Sequence, residues 1–150
     1  MAFRLSTGLR TALLGTMGFR ELMDNGWLDI YSGSQPASAD AIETGTKLAR
    51  ISSTSGQGVA DGCKFGTGAN GAMLITTPVW SGIVQVAGVA GWARYYGSNG
   101  TGGSQGTSGT AHRMDMNCGV SGADLILSHT NLVLDSILTV KTLTINQPEE

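Results

Sequence analysis

The chain has 150 residues, a net charge of −2 and 13% charged residues, about half the charged share of an average domain. Its pI is about 5.6. There is no basic field to draw in phosphates, no basic amphipathic helix for a membrane surface, and no apolar run near the roughly 20 residues that a spanning helix needs, so neither nucleic acid nor membrane is an expected partner. The length suits one domain with a real core. The 23 glycines, with many Ser and Thr, suit short strands, frequent turns and a neutral polar exterior of the kind that can meet other protein without desolvating charge.

The opening residues, Met1-Ala2-Phe3-Arg4-Leu5-Ser6, lack an uninterrupted apolar region and a small-x-small cleavage site, which points away from a signal peptide. Cys63 and Cys118 then read as free thiols, and the sequon Asn99-Gly100-Thr101 carries no weight. Residues 6–23 hold the one helical pattern: Leu9, Leu13, Met17 and Leu22 or Met23 recur near helical spacing, and Ser6 or Thr7 can cap them. Gly8, Gly15 and Gly18 each cost about 1 kcal/mol against Ala, so this helix must dock on something to persist. Asp24-Asn25-Gly26 ends it.

Residues 26–52 read as strand, polar connection, strand. Trp27, Asp29 and Tyr31 point one way, Leu28 and Ile30 the other, and Gly33, Pro36 and Gly45 punctuate the connection before the returning strand Lys47–Ser52. Residues 53–71 are a glycine-rich loop. Within it, 66–71 matches G-x-G-x-x-G, but Met73-Leu74-Ile75 follows as a strand, not a helix, so the dinucleotide reading fails. Pro78 marks the end or edge of that strand. Ile83–Val89 is a further strand, and Gly91–Tyr96 is either a separate one or its continuation past Gly88. Arg94, between Trp92 and Tyr96, could stack on either ring; the preferred reading is a solvated arginine flanked by packed aromatics.

Residues 97–111, with Gly at six positions, form a loop joining two strands, either a hairpin tip or a segment that orders against a partner. In His112–Cys118, His112, Met114, Met116 and Cys118 share one face. Arg113, Asp115 and Asn117 share the other, where Arg113 and Asp115 can pair along the strand surface for about 1 kcal/mol at most. Ala123–Ser128, Asn131–Leu134 and Ser136–Ile145 complete the strands. In the last of these the apolar residues switch from even positions (Leu138, Val140) to odd ones (Leu143, Ile145). A bulge near Lys141–Thr142, or a crossing between sheets, is needed to bury both pairs on one face.

Catalytic patterns are weak. His112 and Cys118 share a strand face but lie roughly 20 Å apart, too far to share zinc. A Cys-His dyad has no evident third group. Carboxylate pairs could be drawn from Asp24, Asp29, Glu43, Asp115 and Asp124, as in any β-protein. No nucleophile elbow or P-loop is present. The expectation is a non-enzyme with no metal and no cofactor.

Three stretches carry a resemblance. They are Leu9–Leu14 followed by Trp27–Asp40; Gly45–Ile51; and Gly91–Tyr95 with Val120–Ser128 and Leu138–Ile145. Their order resembles small virion proteins of tailed bacteriophages, and within these it is similar to capsid cement or decoration proteins with a jelly-roll-like fold. The resemblance implies an antiparallel β-sandwich with one N-terminal α-helix, divided into an arm or helix (1–25), a sandwich domain (26–146) and a polar tail (147–150). It implies a shell-stabilising role on the capsid surface of a virion assembled in the bacterial host cytoplasm. The implied partners are the major capsid protein and further copies of the chain, as a dimer or trimer. No catalytic residues come with it, and the glycine-rich segments 53–71 and 97–111 are long for that family. The expected contacts are Phe3, Arg4, Leu9, Arg10, Leu13 and Phe19, so that deleting residues 1–20 would leave a β-rich protein unable to join the particle. The alternatives are a tail, collar or baseplate component, and a carbohydrate-binding sandwich using Trp27, Tyr31 or Tyr95.

Overall fold

The computed structural model describes residues 3–15, 17–53, 62–70, 72–75, 79–97 and 111–146. The glycine-rich runs at 54–61 and 98–110, Pro78 and the 147–150 tail lie outside the described residues.

The chain is mainly β. Strand β1 (Arg4–Leu5) leads into helices α1 (Thr7–Leu14) and α2 (Phe19–Met23). These are followed by β2 (Trp27–Ser32), β3 (Lys47–Ile51), β4 (Ala72–Leu74), β5 (Ser81–Ile83), β6 (Gly88–Tyr96), β7 (Arg113–Gly119), β8 (Leu125–Leu127), β9 (Asn131–Leu132) and β10 (Ile137–Asn146). The single helix expected over 6–23 is two helices. Gly15 is the C-cap of α1 and Gly18 the N-cap of α2. Gly is the weakest non-proline helix former, and the break falls where two lie three residues apart. Ser6 caps α1, its Oγ accepting the Leu9 N–H at 3.2 Å. Glu21 reaches back to the Gly18 N–H at 3.2 Å.

One curled sheet runs β3-β2-β6-β7-β8-β10-β4, with β1 on β7, β9 on β6 and β5 on β10. Bridges Ser52↔Ser81 and Ala49↔Val84 join β5 to β3, so the pairing closes a circuit from β3 round to β10 and β5. Nearly all pairs are antiparallel, as expected, but β7 and β8 are parallel, through Cys118↔Leu125 and Gly119↔Ile126. A parallel neighbour usually needs a crossover of a dozen residues. Here the connection is only residues 120–124; within it Gly122 turns the chain with φ 64, and Asn117 Oδ1 accepts the Asp124 N–H at 2.8 Å.

The apolar side of β2, β3, β6 and β7 faces inward: Leu28, Ile30, Ala49, Ile51, Ala93, Tyr95, Met114 and Met116 share one core with Leu125, Leu127, Leu138, Val140 and Leu143. Leu9, Leu22 and Met23 enter the same core from the two helices. The Phe65 ring packs edge-on against Trp80 and Tyr95 at 5.0 and 5.4 Å. The register of β10 shifts between Val140 and Thr142. Lys141 is the extra residue of a bulge at the position that the switch in apolar phase requires, and Leu138, Val140 and Leu143 are all buried as a result.

Candidate functional site

The other side of the sheet carries the chemistry-bearing residues. Alternation places Asp29 on β2, Arg50 on β3, Arg94 on β6, Asp115 on β7 and Arg4 on β1 on this side. The register then aligns them in one row across five strands: Arg50 opposite Asp29, Asp29 opposite Arg94, Arg94 opposite Asp115, Asp115 opposite Arg4. The signs alternate at every step. Opposite charges directly across a strand pair are favourable and like charges are not, so a one-residue slip would lose the whole row. Arg50 grips Asp29 with two bonds of 2.7 Å, and Arg94 grips Asp115 with bonds of 2.6 and 2.8 Å. Aromatic residues flank the row. Tyr31 stacks on Trp92 at 4.6 Å, while Arg50 and Arg94 lie over the rings of Trp27 and Trp92 at 5.3 and 5.5 Å.

This face is expected in solvent but is buried: Asp29, Arg94, Arg113 and Asp115 are at most 1% exposed. The connection 33–46 lies across it as a strap. The Trp92 indole N–H donates to Thr44 O at 3.2 Å and Arg94 Nη1 to Ala41 O at 2.8 Å. Arg94 also meets Glu43 at 3.1 Å, and the Tyr96 hydroxyl donates to Glu43 Oε1 at 2.6 Å. Arg113 lies 3.8 Å from Asp40, and Arg4 donates to Pro36 O. Two glycines let the strap lie this close. A Cβ at Gly91 would sit 2.1 Å from Gly33 O, and Gly45, with φ +81, would put one 2.0 Å from Ser32 O.

Two expectations are therefore corrected. Arg94 is not a solvated arginine; it is enclosed between the sheet and the strap. Arg113 and Asp115 do not pair along an exposed strand: Asp115 reaches across to Arg94, and Arg113 reaches the strap. Both follow from a cover that alternation alone does not reveal.

The titration of these groups reflects the enclosure. Burial pushes the Asp115 carboxyl up, and the Arg94 bonds offset this only in part. From the other side, burial would lower Arg94, but its bonds to Asp115 outweigh this and raise it. Two short parallel bonds mark the pair as ionised. For Glu43, burial is outweighed by the Tyr96 hydroxyl and then by Arg94, so its carboxyl lies below the usual range. Burial pushes the Tyr31 hydroxyl up to about 12 and raises Tyr96 further. Of the possible carboxylate pairs, Glu43 and Asp115 are brought together, with Arg94 between them. Their side chains are 4% and 0% exposed, so neither can reach a substrate while the strap is in place. The arrangement works as a latch that holds the strap to the sheet.

The expected contact residues do not gather on one face. Leu9 is fully buried. Phe3, Leu13 and Phe19 are half-buried against the core. Arg4 belongs to the charged row, and Arg10 is exposed, donating to Thr7 Oγ1 at 3.1 Å. Trp27, Tyr31 and Tyr95 are all buried, so they offer no exposed platform for a glycan. Cys63 and Cys118 are free. Burial pushes both thiols up, Cys118 to about 12, which leaves little thiolate for nucleophilic chemistry. Among the described residues no three His, Cys, Asp or Glu side chains gather as a metal site would require. Nothing in the sequence pattern assigns Asp40 and Glu43 to this role. Their one signal is that they are the only acidic residues in an otherwise neutral connection. No family model, curated protein or solved structure matches this chain.

Proposed function

We propose that this chain is a non-enzymatic bacteriophage capsid decoration protein that binds the lattice of the major capsid protein and stabilises the shell. The observation that carries this reading is how its chemistry is distributed. The enclosed ionisable groups hold the chain's own strap in place, while the exterior offers aliphatic side chains such as Leu14, Ile42, Val120 and Val133 on a surface with few charges. A protein built to adhere needs a stiff frame and an exterior that is cheap to desolvate, not a cleft. Many copies on a repeated lattice then turn weak contacts into firm attachment through effective concentration. The likeness of Trp27–Asp40, Gly45–Ile51 and Val120–Ser128 to phage virion proteins supports the same reading. We also read the curled sheet as a jelly-roll-like sandwich, with β3, β2, β6 and β7 in one layer and β8, β10, β4 and β5 in the other. Support for this comes from the single core to which both groups contribute.

The test is copy number per particle, measured by quantitative mass spectrometry of purified virions against the major capsid subunit. A ratio near one to one, or a simple fraction of it, is the expected result. A single ring's worth of copies would transfer the protein to the tail, collar or baseplate. Absence from particles would overturn the reading.

A further inference from the structure

The outer surface at one end of the sheet is aliphatic. Ile83 on β5 and Ile137 on β10 lie directly opposite each other, and both point outward while their neighbours Gly82 and Leu138 are buried. The turn before β10 is fastened to the same place: Asp135 N donates to Val84 O, and Val84 N donates to Ser136 O, each at 2.9 Å. This brings Val133 and Leu134 beside the two isoleucines. The first residues of β6 close the patch, because Val89 lies opposite Asn131 on β9, and Val86 sits in the connection between β5 and β6. These six side chains are between 42% and 66% exposed.

At such exposures six aliphatic side chains present on the order of 500 Å², near the upper end of what a soluble monomer leaves uncovered. A stable homodimer covers about 800 Å² on each partner, roughly 65% of it apolar, which is again on the order of 500 Å². Charge points to the same occupant. Within residues 79–89 and 130–140 the sole charged residue is Asp135. The patch thus carries no charge pattern to select a partner of opposite sign, and almost nothing to repel its own image across a two-fold axis. We propose that this face, formed by Ile83, Val86, Val89, Val133, Leu134 and Ile137, is an isologous interface with a second copy of the chain. The inference rests on the patch alone and stands whether or not the protein decorates a capsid.

The test is sedimentation equilibrium on the full chain at concentrations up to about 100 µM, enough to populate a micromolar dimer. The wild type is expected at the mass of two chains. The double substitution Ile83→Lys and Ile137→Lys, and separately the single Val133→Asp on the turn, should each raise the dimer dissociation constant at least about 30-fold. The β-rich circular dichroism should be unchanged, because all three positions face solvent in the single chain. Leu14→Lys, on the exposed side of α1, should leave the dimer intact. A wild type at the mass of one chain throughout the range would overturn the proposal. So would a dimer that survives both sets of substitutions.

Discussion

Ser6 and Arg113 are joined twice. The Ser6 N–H donates to Arg113 O at 3.0 Å, and the Arg113 N–H donates to Ser6 Oγ at 3.0 Å. The same Oγ caps α1 through Leu9 N and donates to Ala111 O at 2.6 Å. One hydroxyl thus ends β1, starts α1 and fastens both to β7. Strand β1 pairs with β7 and α1 carries Leu9 into the core, so deleting residues 1–20 would remove built-in elements rather than a detachable arm. The truncated chain is therefore expected to lose cooperative unfolding instead of persisting as a β-rich protein.

Ser6→Ala tests this junction more finely. It removes a helix cap, worth about 1 kcal/mol, and leaves the Arg113 N–H buried without its acceptor, at roughly 1–3 kcal/mol. The expected loss is about 2–4 kcal/mol, read as a lower urea midpoint with an unchanged slope. A loss below about 0.5 kcal/mol, the range of an ordinary surface substitution, would mean that the junction adds little.

The Arg94–Asp115 pair is expected to behave as an enclosed ion pair whose members need each other. Removing one partner from such a pair typically costs about 3–5 kcal/mol, because the other is left charged and dry. Asp115→Leu should fall in that range, and Arg94→Met likewise. The double variant should be less destabilised than the sum of the two singles, since neither charge remains. It should not fully recover, because Glu43 also loses its cation. A double-mutant cycle by denaturant unfolding reads this directly; strict additivity would show that the two residues are not coupled.

Asp40 gives a prediction with a defined pH window. Burial would raise its carboxyl, but the bonds from the Thr7 hydroxyl and N–H outweigh this and lower it. A carboxyl lowered in the folded state contributes its full stabilisation above the unfolded value of about 4 and loses it as pH falls through the lower folded value. Glu43 acts in the same direction. Asp115, raised by burial, acts in the opposite one: its cost is present at neutral pH and is relieved as pH falls through its folded value. Asp40→Asn should therefore be less stable than wild type at neutral pH, and the gap between their urea midpoints should narrow as pH falls below about 4 and through the lowered folded value, where the wild-type carboxyl becomes protonated as well. A gap of constant size would show that the Asp40 charge does not hold the strap.

The strands were legible because period-2 alternation is a local signal. Trp27–Ser32, Lys47–Ile51 and Arg113–Gly119 fall where the pattern puts them, and the phase switch in the last strand located its bulge. The two-helix break was half legible: the cost of Gly15 and Gly18 inside a helix is a local property, whereas their capping of α1 and α2 depends on how the two helices dock. The cover over the charged face was not legible. A polar, turn-rich connection such as 33–46 has the same composition whether it loops into solvent or lies across a sheet. Only the register shows that Arg50, Asp29, Arg94, Asp115 and Arg4 form one row, and only the tertiary position of the strap shows that the row is enclosed. The aliphatic patch was hidden for a similar reason, because Ile83 and Ile137 become neighbours through a pairing of strands distant in sequence.

The bulge in β10 supports a contrast between two deletions of equal size. Val140 pairs with Leu127, Thr142 with Ile126 and Leu143 with Leu125, so Lys141 has no rung of its own. Removing Lys141 leaves Leu138, Val140, Leu143 and Ile145 in strict alternation. Every pairing with β8 is kept, and what is lost is the local twist that a bulge adds. Removing Thr139 instead makes Leu138 and Val140 consecutive, and one of two buried side chains must then turn outward. Deletion of Lys141 should lower the midpoint of thermal unfolding by a few degrees, equivalent to about 1 kcal/mol for a domain of this size. Deletion of Thr139 should cost as much as emptying a core site, about 2–5 kcal/mol, and abolish the cooperative transition if the margin of stability is small. The reverse order, with the Lys141 deletion the more damaging, would mean that the bulge is required for the curvature of β10 towards β4 and β5 and is not merely a spacer that keeps the apolar side chains in phase.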